Sequence, residues 1–139
     1  MRRFCSLFFV AFLAVSCGSS VSDESLKHLT GYWEIEEVNM PDGSTKEYKI
    51  NPTIDYFEIK DKKGFRKKVM PQFDGTYRVN DLSEKINVIE ENGVMYISYV
   101  TDYAKWKEEI VELNEEELVL RNNHDMEYHY KKPVPFTLK

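Results

Sequence analysis

Ile86-Asn87-Val88, Glu91-Asn92-Gly93 and Met95-Tyr96-Ile97-Ser98-Tyr99-Val100 follow one another in the middle of the chain. Two apolar runs, rich in β-branched and aromatic residues, flank a tight-turn dipeptide. Asn-Gly supplies two residues that tolerate positive φ, which a two-residue hairpin turn demands. The stretch therefore predicts a β-hairpin, and similar patterns extend to both sides of it. Upstream, Trp33-Glu34-Ile35-Glu36 alternates apolar and polar like a half-buried strand. Met40-Pro41-Asp42-Gly43 has turn chemistry. Tyr48 and Ile50 suggest a short irregular strand that Pro52 limits. Phe57 and Ile59 run into Asp61-Lys62-Lys63-Gly64, and Phe65, Lys67 and Val69 run out again, which predicts a hairpin with a Gly-closed loop. Thr76-Tyr77-Arg78-Val79 reads as a separate strand, with Asn80-Asp81 as the turn after it. Residues 110–113, 118–120 and 126–130 give three more strands, separated by Asn114-Glu115-Glu116 and Asn122-Asn123. Tyr103, Trp106, Ile110 and Leu113 recur at helical spacing, but the turn and apolar run that follow favour a loop and then a strand. The expected fold is all-β: an antiparallel up-and-down barrel of eight to ten strands, whose closure removes exposed sheet edges.

Met1-Arg2-Arg3 opens the chain, and residues 4–15 are apolar apart from Ser6. That run of about a dozen residues is short of the ~20 that cross a bilayer. A charged start, a short apolar core and small residues before a break describe a secretory signal. Leu13-Ala14-Val15-Ser16-Cys17, followed by Gly18, resembles the bacterial lipobox. The resemblance implies a signal peptide at 1–16 and Cys17 as the first mature residue, bearing palmitate-type acylation. Residues 17–28 are then a polar tether to the domain. Gly18 is not the Asp that in some bacteria retains lipoproteins at the inner membrane, which implies an outer-membrane anchor with its face left open. The alternative is an ordinary secreted protein with an incidental Cys. Because Cys5 lies inside the removed segment, the mature chain has no disulfide.

Gly31-Tyr32-Trp33 opens the first strand, Thr101-Asp102-Tyr103 follows the strand ending near Val100, and Arg121 ends a later strand. In this order they resemble the lipocalin signature: Gly-x-Trp on the first strand, Thr-Asp-Tyr between the sixth and seventh, Arg on the eighth. The count leaves out the segment at 48–50 and starts separate strands at Thr76 and Lys85. Residues 29–132 as a whole resemble the lipocalin-like lipoproteins of bacteria. The resemblance implies that Gly31, Trp33, Thr101, Asp102, Tyr103 and Arg121 are structural. A cation, Arg121 by preference or Lys131, would lie across the indole of Trp33. It also implies a barrel suited to a small amphipathic or hydrophobic molecule. The helix that usually follows the eighth strand has no counterpart, since residues 133–139 read as an extended tail around Pro133 and Pro135.

Other chemistry is thin. The 139-residue chain is 31% charged with a formal charge of −5, which disfavours nucleic acid as a partner. His124 and His129 are five apart and face opposite sides of a strand, so no metal site is expected. No nucleophile motif and no phosphate loop occurs, so neither an enzyme nor a cofactor is expected. The acidic run from Glu108 to Glu117 reads as a solvated hairpin tip. Lys60, Lys62, Lys63, Arg66, Lys67 and Lys68 read as a second charged tip, or as a contact for acidic headgroups or an acidic partner.

Strand alternation places Trp33, Ile35, Phe57, Ile59, Phe65, Val69, Tyr77, Val79, Ile86, Val88, Leu118, Leu120, Met126 and Tyr128 inward. Tyr56 is expected to line the barrel with Tyr77, Tyr99 and Tyr128. Lys67 joins the inward set near the rim. The candidate ligand-binding residues are Phe57, Phe65, Lys67, Tyr77, Tyr99 and Tyr128. Two functions stay open: a lipid-anchored envelope protein that binds a small amphipathic molecule, or an accessory lipoprotein with a filled core and an envelope protein partner.

Overall fold

The computed structural model describes residues 21–134, with Asp81 described by its backbone alone. The expected signal peptide, Cys17 and the end of the tail lie outside the described residues. Nine antiparallel strands follow in chain order: β1 (Gly31–Asn39), β2 (Thr45–Glu47), β3 (Ile54–Lys60), β4 (Lys63–Pro71), β5 (Tyr77–Glu91), β6 (Val94–Val100), β7 (Lys105–Leu113), β8 (Glu117–Arg121) and β9 (Glu127–Lys131). Eight of them form the ring β1-β3-β4-β5-β6-β7-β8-β9, closed by pairing of β9 with β1. β2 is a short flap against the end of β1. The barrel is all-β, antiparallel and up-and-down.

Turn chemistry fixes the register. Asn92 and Gly93 adopt φ of 53° and 79° between β5 and β6, as the Asn-Gly pair predicts. The β3–β4 turn is made by Asp61 and Lys62, with φ of 53° and 65°, and not by a closing Gly. Gly64 sits inside β4 instead. A Cβ there would lie 1.7 Å from the carbonyl oxygen of Glu58, so the backbones approach too closely for any side chain.

Two further expectations are corrected. Residues 77–91 form one strand of 15 residues, and Asn80-Asp81 is not a turn. Opposite Lys67 to Val69 of β4, β5 runs from Ser83 to Val79, so extra residues bulge out of the ladder. The Asn80 side chain accepts a hydrogen bond from the Leu82 amide at 3.1 Å, a local bond that also makes the segment look like a turn in sequence. Residues 21–28 of the expected tether are folded onto the barrel. A 3₁₀ turn at Ser25–His28 folds against the lower end of the barrel and buries Val21, Leu26 and Leu29. Lys62 holds Asp23 at 3.0 Å beside it.

That end is closed and dry. Trp33 is fully buried, and its indole N–H donates to the Leu29 carbonyl at 2.9 Å. The cation across the ring is Lys132, with Nζ 3.8 Å from the ring centroid. Neither Arg121 nor Lys131 takes that place: Arg121 is at the opposite end, and Lys131 pairs in register with Glu34 and Glu117. Partial burial lowers the pKa of Lys132 below the ordinary lysine value. Phe57, Ile86, Val88, Met95, Ile97, Ile110, Leu113, Leu118, Leu120 and Tyr130 fill the space above.

Leu29 is fully buried in a segment with few other core contacts, so it tests whether this floor belongs to the folded domain. Leu29→Ala should destabilise the protein by about 2–5 kcal/mol, read from urea unfolding. A mere tether residue would leave the midpoint unchanged.

Candidate functional site

The upper half of the interior is built differently. On β4, Arg66 pairs with Phe57 and Lys68 with Asp55, so these two cations face inward. Phe65 and Lys67 face outward in the same ladder, opposite Glu58 and Tyr56. The expected phase of this strand is therefore reversed. Apolar Phe65 and Val69 suggested the core, but the outer wall has an apolar cluster of its own. Tyr32 and Tyr77 stack there at 4.0 Å, Tyr56 packs beside Tyr32 at 4.8 Å, and Phe65 lies 6.0 Å from Tyr56. Ile54 and Val69 are buried on this side and are not part of the interior core. Tyr56, Phe65, Lys67, Val69, Tyr77 and Val79 thus leave the set of interior positions.

The inward cations meet buried carboxylates. Arg66 Nη2 lies 2.5 Å from Glu84 Oε2, and Nη1 lies 3.8 Å from Glu108 Oε1. The guanidinium carbon stands 4.3 Å from the centroid of Tyr99 and 5.9 Å from that of Phe57. Lys68 Nζ reaches the buried Asp55 at 2.6 Å. Burial alone would lower the pKa of Arg66, but Tyr99, Asp55 and Glu84 more than offset it, and the group stays cationic. Burial raises the carboxyl of Glu108 above its ordinary value, against the pull of Tyr99 and Arg66. Burial also raises Tyr99 and Tyr130, keeping both phenols neutral. Among the described residues, Arg66 Nε meets no hydrogen-bond partner, which costs about 1–3 kcal/mol. A charged, under-satisfied arginine is a poor choice for stability alone and points to a functional use.

Strand length opens this cluster to the outside. Pairing of β5 with β6 ends at Lys85 and Val100, while β5 continues to Tyr77 against β4 only. The wall parts between the upper half of β5 and the β6–β7 turn, leaving a cleft of about 600 Å³. Arg66, Lys68 and Glu84 are among its lining residues, together with Leu82, Ser83, Lys85, Val100 and Tyr103. Leu82 and Tyr103 are 77% and 98% exposed. Trp106 stacks on Tyr99 at 5.3 Å, and Tyr99 in turn faces the Arg66 guanidinium.

Of the candidate binding residues, Tyr99 belongs to this site and Phe57 lies in the core beneath Arg66. Tyr128 faces inward at the upper end, where it accepts a hydrogen bond from Asn122 at 3.2 Å. The signature residues do not converge. Gly31 and Trp33 are at the closed end, while Thr101, Asp102 and Tyr103 border the cleft at the other. Thr101 Oγ1 accepts the amides of Tyr103 and Ala104 at 3.3 and 3.1 Å and shapes that turn. Arg121 faces outward between Glu109 at 3.2 Å and Glu127 at 2.5 Å. Arg66 and Glu108 read in sequence as members of solvated charged tips, and Glu84 carries no local signal, so the three are not recognisable there as a site. Among the described residues, no group of three or more His, Cys, Asp or Glu could hold a metal ion.

Glu108 gives this site a pH signature. A carboxyl whose pKa is raised on folding contributes its stability below the unfolded value, near 4.5, and loses it as pH rises through the folded value. Glu108→Gln stays neutral throughout and should gain stability relative to the parent as pH increases from about 4 to 8. Urea midpoints across that range measure the difference. A constant offset at every pH would contradict the assigned shift.

The chain is similar to a lipocalin-like protein from Bacteroides uniformis ATCC 8492 at 14% identity and a TM-score of 0.49, over 76% of this chain and 98% of the other. It is equally similar to an uncharacterized protein from Bacteroides eggerthii DSM 20697, at 14% identity and a TM-score of 0.49, over 76% of this chain and 99% of the other. No curated protein matches. The sequence profile of the lipocalin-like domain family matches residues 29–120, which run from the barrel floor through β8, and the chain belongs to that family.

Proposed function

We propose that this chain is a non-enzymatic binding protein that takes a small amphipathic molecule at the lateral cleft. A lipid on Cys17 would hold it at the outer membrane. The observation that carries the reading is Arg66, kept charged at the base of a cleft of about 600 Å³ whose lips are Leu82 and Tyr103. That volume is in the range of small-molecule sites. The polar end of a ligand meets Arg66, Lys68 and Glu84, while its apolar part lies along Leu82, Val100 and Tyr103. Packing below Arg66 limits the depth, so the site suits a short headgroup entering sideways better than a long chain threaded down the axis. The filled lower half also supports a second reading, an accessory protein that presents its loops to an envelope partner.

Intrinsic fluorescence separates the two readings. The chain has two Trp, and Trp33→Phe leaves Trp106, stacked on the Tyr99 that faces Arg66, as the reporter. Titration with a single-chain lysophospholipid or a fatty acid should give a saturable change in that variant. Arg66→Gln, which removes the cation at the base of the cleft, should abolish the change in a variant that still unfolds cooperatively. No saturable change across a broad panel of amphiphiles would leave the accessory reading.

The anchor is tested separately. Cys17→Ala should eliminate incorporation of labelled palmitate, because no Cys beyond the signal remains. Incorporation that persists in the variant, or is missing in the parent, would reject the lipid attachment.

A further inference from the structure

We infer that the outer wall formed by β4 to β7 is a docking surface for an anionic lipid bilayer, lying side-on so that the cleft opens toward the membrane. The wall follows from the same ladder that turns Arg66 inward. Lys63 pairs with Asn87, Lys85 with Phe65 and Val100, and Lys105 with Val100, so these lysines share the outward face with Lys67 and Lys107. Five lysines thus project from one side of a chain whose formal charge is −5.

Among the described residues, Lys63, Lys67, Lys85 and Lys105 are in no ion pair. Lys107 is held by Glu91 at 2.7 Å, and Lys62 at the lower margin by Asp23 at 3.0 Å. Asp61 and Asp102 lie at the two ends of the wall. Between the lysines runs a trough of about 760 Å³, where Asn87 and Ser98 are among the lining residues. Such short polar side chains leave room for phosphate groups between the ammonium heads.

The trough is continuous with the cleft. Val100 lines both, and Ser83 and Lys85 line the cleft and the neighbouring groove beside Phe65. The exposed side chains of Leu82 and Tyr103 therefore stand at the upper edge of the cationic wall. Lysines beside exposed apolar and aromatic side chains are the combination that a headgroup layer accepts: the charges meet phosphate and the apolar groups enter the interface. An acidic protein would match the charge but would leave Leu82 and Tyr103 without an apolar environment. The docking itself does not depend on the cleft reading. Its consequence, exchange of an amphiphile with the bilayer, does rest on that reading.

The test uses the full chain with Cys17→Ala, so that acylation does not contribute, and compares variants that share the same leader. Flotation with vesicles of phosphatidylcholine containing phosphatidylglycerol should exceed flotation with phosphatidylcholine alone, and should fall as salt is raised. Each lysine near an anionic surface contributes about a fivefold factor, so Lys85→Glu/Lys105→Glu should weaken binding by tens-fold or more. Lys46→Glu/Lys49→Glu changes the charge equally, away from the wall, and should weaken it far less. Leu82→Asn/Tyr103→Ser should reduce binding at unchanged charge. Equal loss in the two charge variants, or no dependence on the anionic lipid, overturns the proposal. So does capture by an acidic protein with no vesicle binding. Amphiphile titration without vesicles reports on the cleft independently, so failure of one reading is distinguishable from failure of the other.

Discussion

The mismatch between a fifteen-residue β5 and a seven-residue β6 governs the shape of this barrel. Ladder pairing is local, so the surplus of β5 can bond only to β4. A closed ring cannot absorb that surplus without a defect, and the bulge around Asn80 and Asp81 is where the defect is placed. Below it the ring fills with side chains, with smaller register shifts at Ile35–Glu37 and Ile110–Glu112. Above it β5 leaves β6, and the interior communicates with the exterior through the side of the barrel. The charged cluster on β4 and β7 lies at this boundary.

The two halves of the interior solve different physical problems. Near the floor, Trp33 is satisfied on every side: the indole donates to Leu29, its face meets Lys132, and aliphatic side chains surround it. Burial there is favourable and has no outstanding polar cost. Around Arg66 the balance is reversed. Two cations and three carboxylates share a partly dry space, and desolvation offsets much of their attraction. Such an arrangement adds little net stability, but it fixes a polar surface in a defined orientation beside an opening.

Strand existence was legible in the sequence because turn chemistry and β-rich runs are local signals. Asn92-Gly93 is the clearest case, and the inward phases of Trp33, Phe57, Ile86 and Leu118 followed from simple alternation. The phase of β4 was not legible. Phe65-Arg66-Lys67-Lys68-Val69 alternates an apolar and a basic set, and elementary patterning assigns the apolar set to the core. What reverses it is distant in sequence: the outer tyrosines at 32, 56 and 77 provide a second apolar surface, and Glu84 and Glu108 provide partners inside. Asn80-Asp81 was misread for the opposite reason, since an Asn side chain bonds a nearby amide in a bulge as readily as in a turn. Residues 21–28 looked like a tether because their average composition is polar. Val21, Leu26 and Leu29 are spaced so that the few apolar groups meet the barrel together.

The folded floor would also shorten the leash of a lipid on Cys17. With Val21 already buried, only four residue steps separate it from Cys17. A fully extended chain of that length reaches about 14 Å. A lipid on Cys17 would therefore keep the floor nearly in contact with the headgroups, and the barrel could pivot on its base without standing away from the bilayer. The acidic hairpin at 112–117, at the same end as the floor, makes an upright stance on an anionic surface unfavourable. Leaning would bring the lysine wall down and carry the cleft with it, so with a lipid on Cys17 the short leash would turn orientation into a choice of tilt.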